Sequence, residues 1–124
     1  MLSDITTGPQ TVSDAGAVTG VLSTADILAT ADLTVRIHIL GMTAGKNALV
    51  SIEDTDLGGL NAFTDAHQVA VVHVAGAVTT EIQLNFRRYQ LPTIRTGAAN
   101  CALRANVQAI DAGGNLTIYA QLEY

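Results

Sequence analysis

The stretch CALRANVQAIDAGGNLTIYAQL, residues 101–122, places Cys101, Leu103, Ala105, Val107 and Ala109 at alternate positions, and then Leu116, Ile118, Ala120 and Leu122 in the same way. Successive side chains of an extended chain point to opposite faces, so each run reads as a strand with one apolar and one polar side. Between them Asp111-Ala112-Gly113-Gly114 supplies the residues of a turn. The reading is a hairpin of two half-buried strands.

The same period recurs upstream. Leu33, Val35, Ile37 and Ile39 alternate with Thr34, Arg36 and His38, and Thr80, Ile82, Leu84 and Phe86 alternate with Glu81, Gln83 and Asn85. Leu49 through Ile52 reads as a further strand after a turn over 41–47, ended by the acidic run from Glu53 and by Gly58-Gly59. Val69–Val74 is apolar on both faces apart from His73, which predicts a central strand covered above and below or an interface strand. Its β-branched valines and the following Gly76 disfavour a helix. Pro92 marks the stretch 89–95 as an edge or a bulge. Residues 1–31 are small and polar with weak alternation, and read as an extended N-terminal arm with one or two short strands. Seven or eight strands separated by turn residues make an all-β fold: an antiparallel β-sandwich, jelly-roll-like, over 32–124, preceded by that arm.

A chain of 124 residues has room for one core. Hydrophobic residues make up 48% of it, but aromatics only 4%, with no Trp. A core of Val, Ile, Leu and Ala buries little area per side chain, where an aromatic would bury roughly 150–250 Å². Such a thin core favours an oligomer or a surface-bound subunit. Charged residues are 14%, against about 25% in ordinary soluble domains, so much of the surface is neutral. A net charge of −5 argues against nucleic acid, whose phosphates require a basic footprint. No apolar run approaches the roughly 18 residues of a membrane helix. No secretory signal is legible, so the expectation is a protein made and kept in a cytosol-like compartment, or released by lysis. Cys101 is the single cysteine, so no internal disulfide is expected, and its apolar strand predicts a buried thiol.

No catalytic, cofactor or metal site emerges. Glu53-Asp54-Thr55-Asp56-Leu57-Gly58 has the oxygens of a calcium loop but no later bidentate Glu, and a solvated β-turn is the preferred reading. His38, His67 and His73 lack zinc-site spacing, although His73 is placed to meet a subunit. Ser51 with a histidine and Asp54 is a trio that any sequence permits, and no serine has a nucleophile-elbow context. No glycine loop has phosphate-cradling spacing. The charge layout says more. Asp4, Asp14, Asp26 and Asp32 occupy residues 1–35 with no base, and Arg87, Arg88, Arg95 and Arg104 occupy 82–110 with no acid. The layout fits two solvated faces of one monomer or an acidic arm lying on the arginine face of a neighbouring copy; on the second reading Asp4, Asp14 and Asp26 on the arm, and Arg87, Arg88, Arg95 and Arg104 opposite, are the candidate subunit or capsid contacts.

Leu33–Leu40, the acidic glycine loop running to Phe63, Arg87-Arg88-Tyr89, Ile94-Arg95 and the closing strands across Gly113-Gly114 together resemble the small β-sandwich structural proteins of tailed bacteriophages. The likeness spans roughly residues 33–123, and Phe63 stands where a Trp is common in that group. The resemblance implies a virion structural protein: a capsid decoration or cement protein that binds the major capsid protein lattice, or a neck or tail component. It also implies self-association, often as a trimer, on the capsid exterior, without cofactor, nucleic acid or membrane. A carbohydrate-binding or adhesive module is the alternative, with Phe63, Phe86, Tyr89, Tyr119 and Tyr124 as the aromatics available for sugar stacking. Of these, Tyr119 and Tyr124 are expected to serve the end of the last strand.

Overall fold

The computed structural model describes residues 1–58, 66–77, 79–91, 93 and 100–124. Among the described residues ten strands run in order: β1 (Leu2–Asp4), β2 (Gln10–Val12), β3 (Gly16–Ala17), β4 (Leu22–Ser23), β5 (Asp32–Met42), β6 (Asn47–Asp56), β7 (His67–Ala75), β8 (Thr80–Arg87), β9 (Cys101–Ile110) and β10 (Leu116–Glu123). One antiparallel sheet has the order β1-β10-β5-β8, with β2 also on β10, and the other has β3-β9-β6-β7, with β4 also on β9. β1 and β2 line the two halves of β10, and β3 and β4 line two stretches of β9. Each pair acts as one interrupted strand. The result is an eight-strand jelly roll in which the chain crosses between sheets at most connections. The all-β antiparallel sandwich expected from the alternation is therefore what forms.

The core comes from the central strands. Leu33, Val35, Ile37 and Ile39 of β5, Val50 and Ile52 of β6, Leu103, Ala105 and Val107 of β9, and Leu116, Ile118, Ala120 and Leu122 of β10 are all buried. Each fully buried Leu, Ile or Val contributes about 1.5–3 kcal/mol. The N-terminal segment is extended, and it belongs to this core. Ile5 and Val18 are buried, and Thr7, between β1 and β2, donates to the carbonyl of Thr19, between β3 and β4, tying the two parts of the segment together.

Three expectations change. β9 and β10 lie in different sheets and make no hairpin. The turn Asp111–Gly114 carries the chain across the core, so the two apolar faces meet each other. Alternation alone is equally consistent with two strands side by side and two strands face to face. Second, Ala109 is exposed rather than inward, because a bulge between the Leu49 and Val50 pairings resets the phase of β9. Third, among the described residues β7 is an edge strand, which removes the central-strand alternative and leaves the interface strand, and Val71 on it is 48% exposed.

Candidate functional site

The acidic run is neither a calcium loop nor a solvated turn. Glu53, Asp54, Thr55 and Asp56 continue β6, and the strand buries Glu53 to 6% and Asp54 to 0% exposure. Alternation sends them to opposite faces. Asp54 points inward with Val50 and Ile52, and accepts from Thr93 through its backbone N at 2.9 Å and its Oγ1 at 2.8 Å. Glu53 points outward and pairs with Arg104 at 2.8 Å. Burial raises the Asp54 pKa, opposed by the Thr93 hydrogen bonds and the Arg88 charge. Turn propensity in this run is overridden because its carboxylates find partners on β9 and beside Thr93, so the strand continues through them. Ser51 lies on the face opposite Asp54 and contacts the Asn106 carbonyl, so the Ser–His–Asp trio is not assembled.

The arginines do not form one face. Arg87 lies on the outer side of β8 and pairs with Asp32 of the same chain at 3.3 Å. Arg88, in a 3₁₀ turn over Arg88–Gln90, is buried and donates to the Thr24 carbonyl and to Cys101 Sγ at 2.8 Å. The Cys101 thiol is buried, as expected. Arg104 is on the outer face of the other sheet. Arg95 and Phe63 lie outside the described residues. Of the arm acids, Asp14 and Asp26 are exposed, while Asp4 is tied to β10.

That tie opens a network the sequence did not reveal. On the outer face of the β1-β10-β5-β8 sheet, Asp4 accepts from the Tyr119 hydroxyl and from Gln121 Nε2 at 3.0 Å. Gln121 Oε1 meets His38 Nε2 at 3.1 Å, and the His38 and Tyr119 rings stack with centroids 5.5 Å apart. Tyr119 therefore stands mid-strand on a sheet face instead of finishing the strand. Beside it, Arg36 bridges Glu81 at 2.8 Å and Glu123 at 2.7 Å, and Thr34 donates to Asn85. The Tyr119 and Gln121 hydrogen bonds lower the Asp4 pKa, and Asp4 raises that of Tyr119. Arg36 likewise lowers the Glu81 carboxyl. The alternation showed that His38 and Tyr119 face outward. Only the register that sets Tyr119 opposite His38 made them neighbours.

The outer face of the other sheet has a different character. Val71 and His73 of β7 stand beside Leu49 of β6 and Ala109 of β9, all exposed. His73 Nε2 meets Asn47 Oδ1 at 3.0 Å, and Asp111 accepts from Asn47 Nδ2 at 3.3 Å. A shallow hollow of about 320 Å³ lies among Asn47, Leu49, His73, Ala109 and Asp111. Among the described residues no group of three or more His, Cys, Asp or Glu is placed to hold a metal ion. No described helix is long and apolar enough to cross a membrane.

No protein-family model and no curated protein matches this chain. Among solved structures it is similar to the CBM22-1–GH10 modules of Clostridium thermocellum endo-1,4-β-D-xylanase 10B, complexed with xylohexaose. The TM-score is 0.54 at 10% identity, over 99% of this chain and 26% of that one. The likeness shows the fold. A jelly roll hosts viral shell proteins and lectins alike, so function has to be argued from the surfaces.

Proposed function

We propose that this chain is a non-catalytic docking module, and specifically a virion structural protein that decorates a capsid by binding the major capsid protein lattice. The observation that supports it is the outer face of β7, β6 and β9. There Val71 and Leu49 are 48% and 39% exposed, flanked by Ala109, His73 and Asn47; the Asp111 carboxylate stands at the rim, held by Asn47, and the nearby charged pair, Glu53 with Arg104, neutralises itself. Depletion of charge around exposed apolar side chains characterises the centre of a protein interface. The resemblance to phage head and tail proteins supplies the partner. Cosedimentation with purified phage heads lacking the protein tests the reading. Wild type should pellet with the heads and Val71→Glu should not. A wild-type chain that stays in the supernatant removes the proposal, and binding to isolated tails instead moves it to the neck or tail.

A second reading has its own observation. The stacked Tyr119–His38 pair, with Gln121, Arg36 and Glu81 around it, offers an aromatic platform edged by hydrogen-bonding groups, the chemistry that holds a sugar ring. The chain also shares its fold with a protein complexed with xylohexaose. Selective retention on a glycan array, lost in Tyr119→Ala, supports this reading, and an unselective or empty array discards it.

A further inference from the structure

The two ends of the jelly roll's strand order are treated differently. At one side the N-terminal segment covers β10 and β9. At the other, β8 and β7 each pair with a single neighbour among the described residues. An uncovered edge presents a row of backbone donors and acceptors, and proteins protect such edges or use them for pairing.

The β8 sequence, Thr80-Glu-Ile-Gln-Leu-Asn-Phe-Arg87, fits itself. In an antiparallel pairing of two copies about a twofold axis through Leu84, Glu81 meets Arg87 of the second copy, Gln83 meets Asn85, Ile82 meets Phe86, and Leu84 meets Leu84. The charged and amide pairs fall on the outer face and the apolar pairs on the inner face. Ile82, Leu84 and Phe86 are only half-buried in the single chain, and Leu84 and Phe86 border a groove of about 580 Å³ shared with Gln68, Val69 and Ala70. The opposite edge, β7, has no charged side chain with which to set a register. Within one copy Glu81 already holds Arg36, and Arg87 holds Asp32. Pairing would extend these into chains of alternating charge, Arg36–Glu81 of one copy continuing through Arg87–Asp32 of the other. Opposite charges facing each other across strands stabilise the pairing, and like charges oppose it.

We propose that β8 is a homodimerisation edge: a second copy of this chain adds to it antiparallel about Leu84, joining the two β1-β10-β5-β8 sheets into one continuous sheet. The outer polar faces of both copies then form a single surface with twofold symmetry. This inference does not depend on what the protein decorates.

Sedimentation of the purified chain, without heads or glycans, tests it. Wild type should sediment as a dimer. Glu81→Arg and Arg87→Glu should each weaken dimerisation roughly tenfold or more, and the double charge swap should recover most of the loss, with circular dichroism checking that each variant folds. Residues opposite one another in antiparallel strands have Cα atoms about 4.5–5.5 Å apart, within the reach of a disulfide. Leu84→Cys should therefore cross-link on mild oxidation, whereas Val71→Cys on the other edge should not. A monomer at all concentrations, a trimer, a dimer indifferent to both charge reversals, or cross-linking through Val71→Cys instead would overturn the β8 edge. None of these outcomes would by itself remove the docking function.

Discussion

Replacing Asp54 with alanine tests whether the buried end of the sandwich is held by its polar groups. Asp54 is fully buried on the inner side of β6 and accepts two hydrogen bonds from Thr93, and the buried Arg88 charge acts on it. Asp54→Ala removes the acceptor of both Thr93 bonds. Removing the acceptor of a buried hydrogen bond costs about 1–3 kcal/mol per bond, so the variant should lose about 2–6 kcal/mol. At about 4 °C per kcal/mol for a chain of this length, the melting temperature should fall by roughly 8–24 °C. Asp54→Asn keeps an acceptor for Thr93 and should lose about half as much. The sign of the pH dependence is a second check. Burial raises the Asp54 pKa above its unfolded value, so the protonated carboxyl favours the fold. Its contribution is full below an unfolded pKa of about 3.9 and is lost as pH rises through the folded value. Wild type should therefore gain stability relative to Asp54→Asn as pH falls from neutral, read from urea melts at each pH. An Asp54→Ala variant within about 1 kcal/mol of wild type, a difference typical of benign substitutions, would refute the reasoning.

At the outer face, Tyr119 should ionise at higher pH in wild type than in Asp4→Asn, because the neighbouring carboxylate opposes the phenolate; ultraviolet titration reads the difference. The depressed Asp4 pKa implies that its own contribution is present above its unfolded pKa and fades as pH falls through the folded one, so Asp4→Asn should flatten that acid limb. Ile5→Ala should destabilise by about 2–5 kcal/mol in urea unfolding, as a core residue does and an arm residue would not. Gly76→Ala should lower the melting temperature, because its Cβ would lie 2.2 Å from the Thr43 carbonyl oxygen, a backbone atom that cannot swing aside.

Much of the fold was legible because apolar side chains at every second position can be buried only on one face of a strand. Leu33 to Ile39 and Leu116 to Leu122 show this most plainly, and both runs are buried as read. The first 31 residues were harder. Their strands are two or three residues long, too short for a period to show, and Ile5 and Val18 gave no hint that each lies in the core. The surfaces were legible by side only where the alternation is clean, as at His38 and Tyr119; Val71, in a run apolar on both faces, and Leu49 showed no side, and which of the outward residues touch depends on register.

What the sequence determined by itself was therefore local: which segments are extended, which face of each is apolar, and that few charges are available to cover the outside. What only the tertiary structure decided was the pairing. It placed β9 and β10 in opposite sheets, buried Asp54 beside Thr93, paired Arg87 with Asp32, and left β8 and β7 on the edges. The physical reason is that alternation records only the burial of one side of a strand, and is indifferent to which strand supplies the backbone hydrogen bonds or lies across the core. Those choices are made jointly by bulges, turns and the partners that buried charges find, which lie tens of residues apart along the chain.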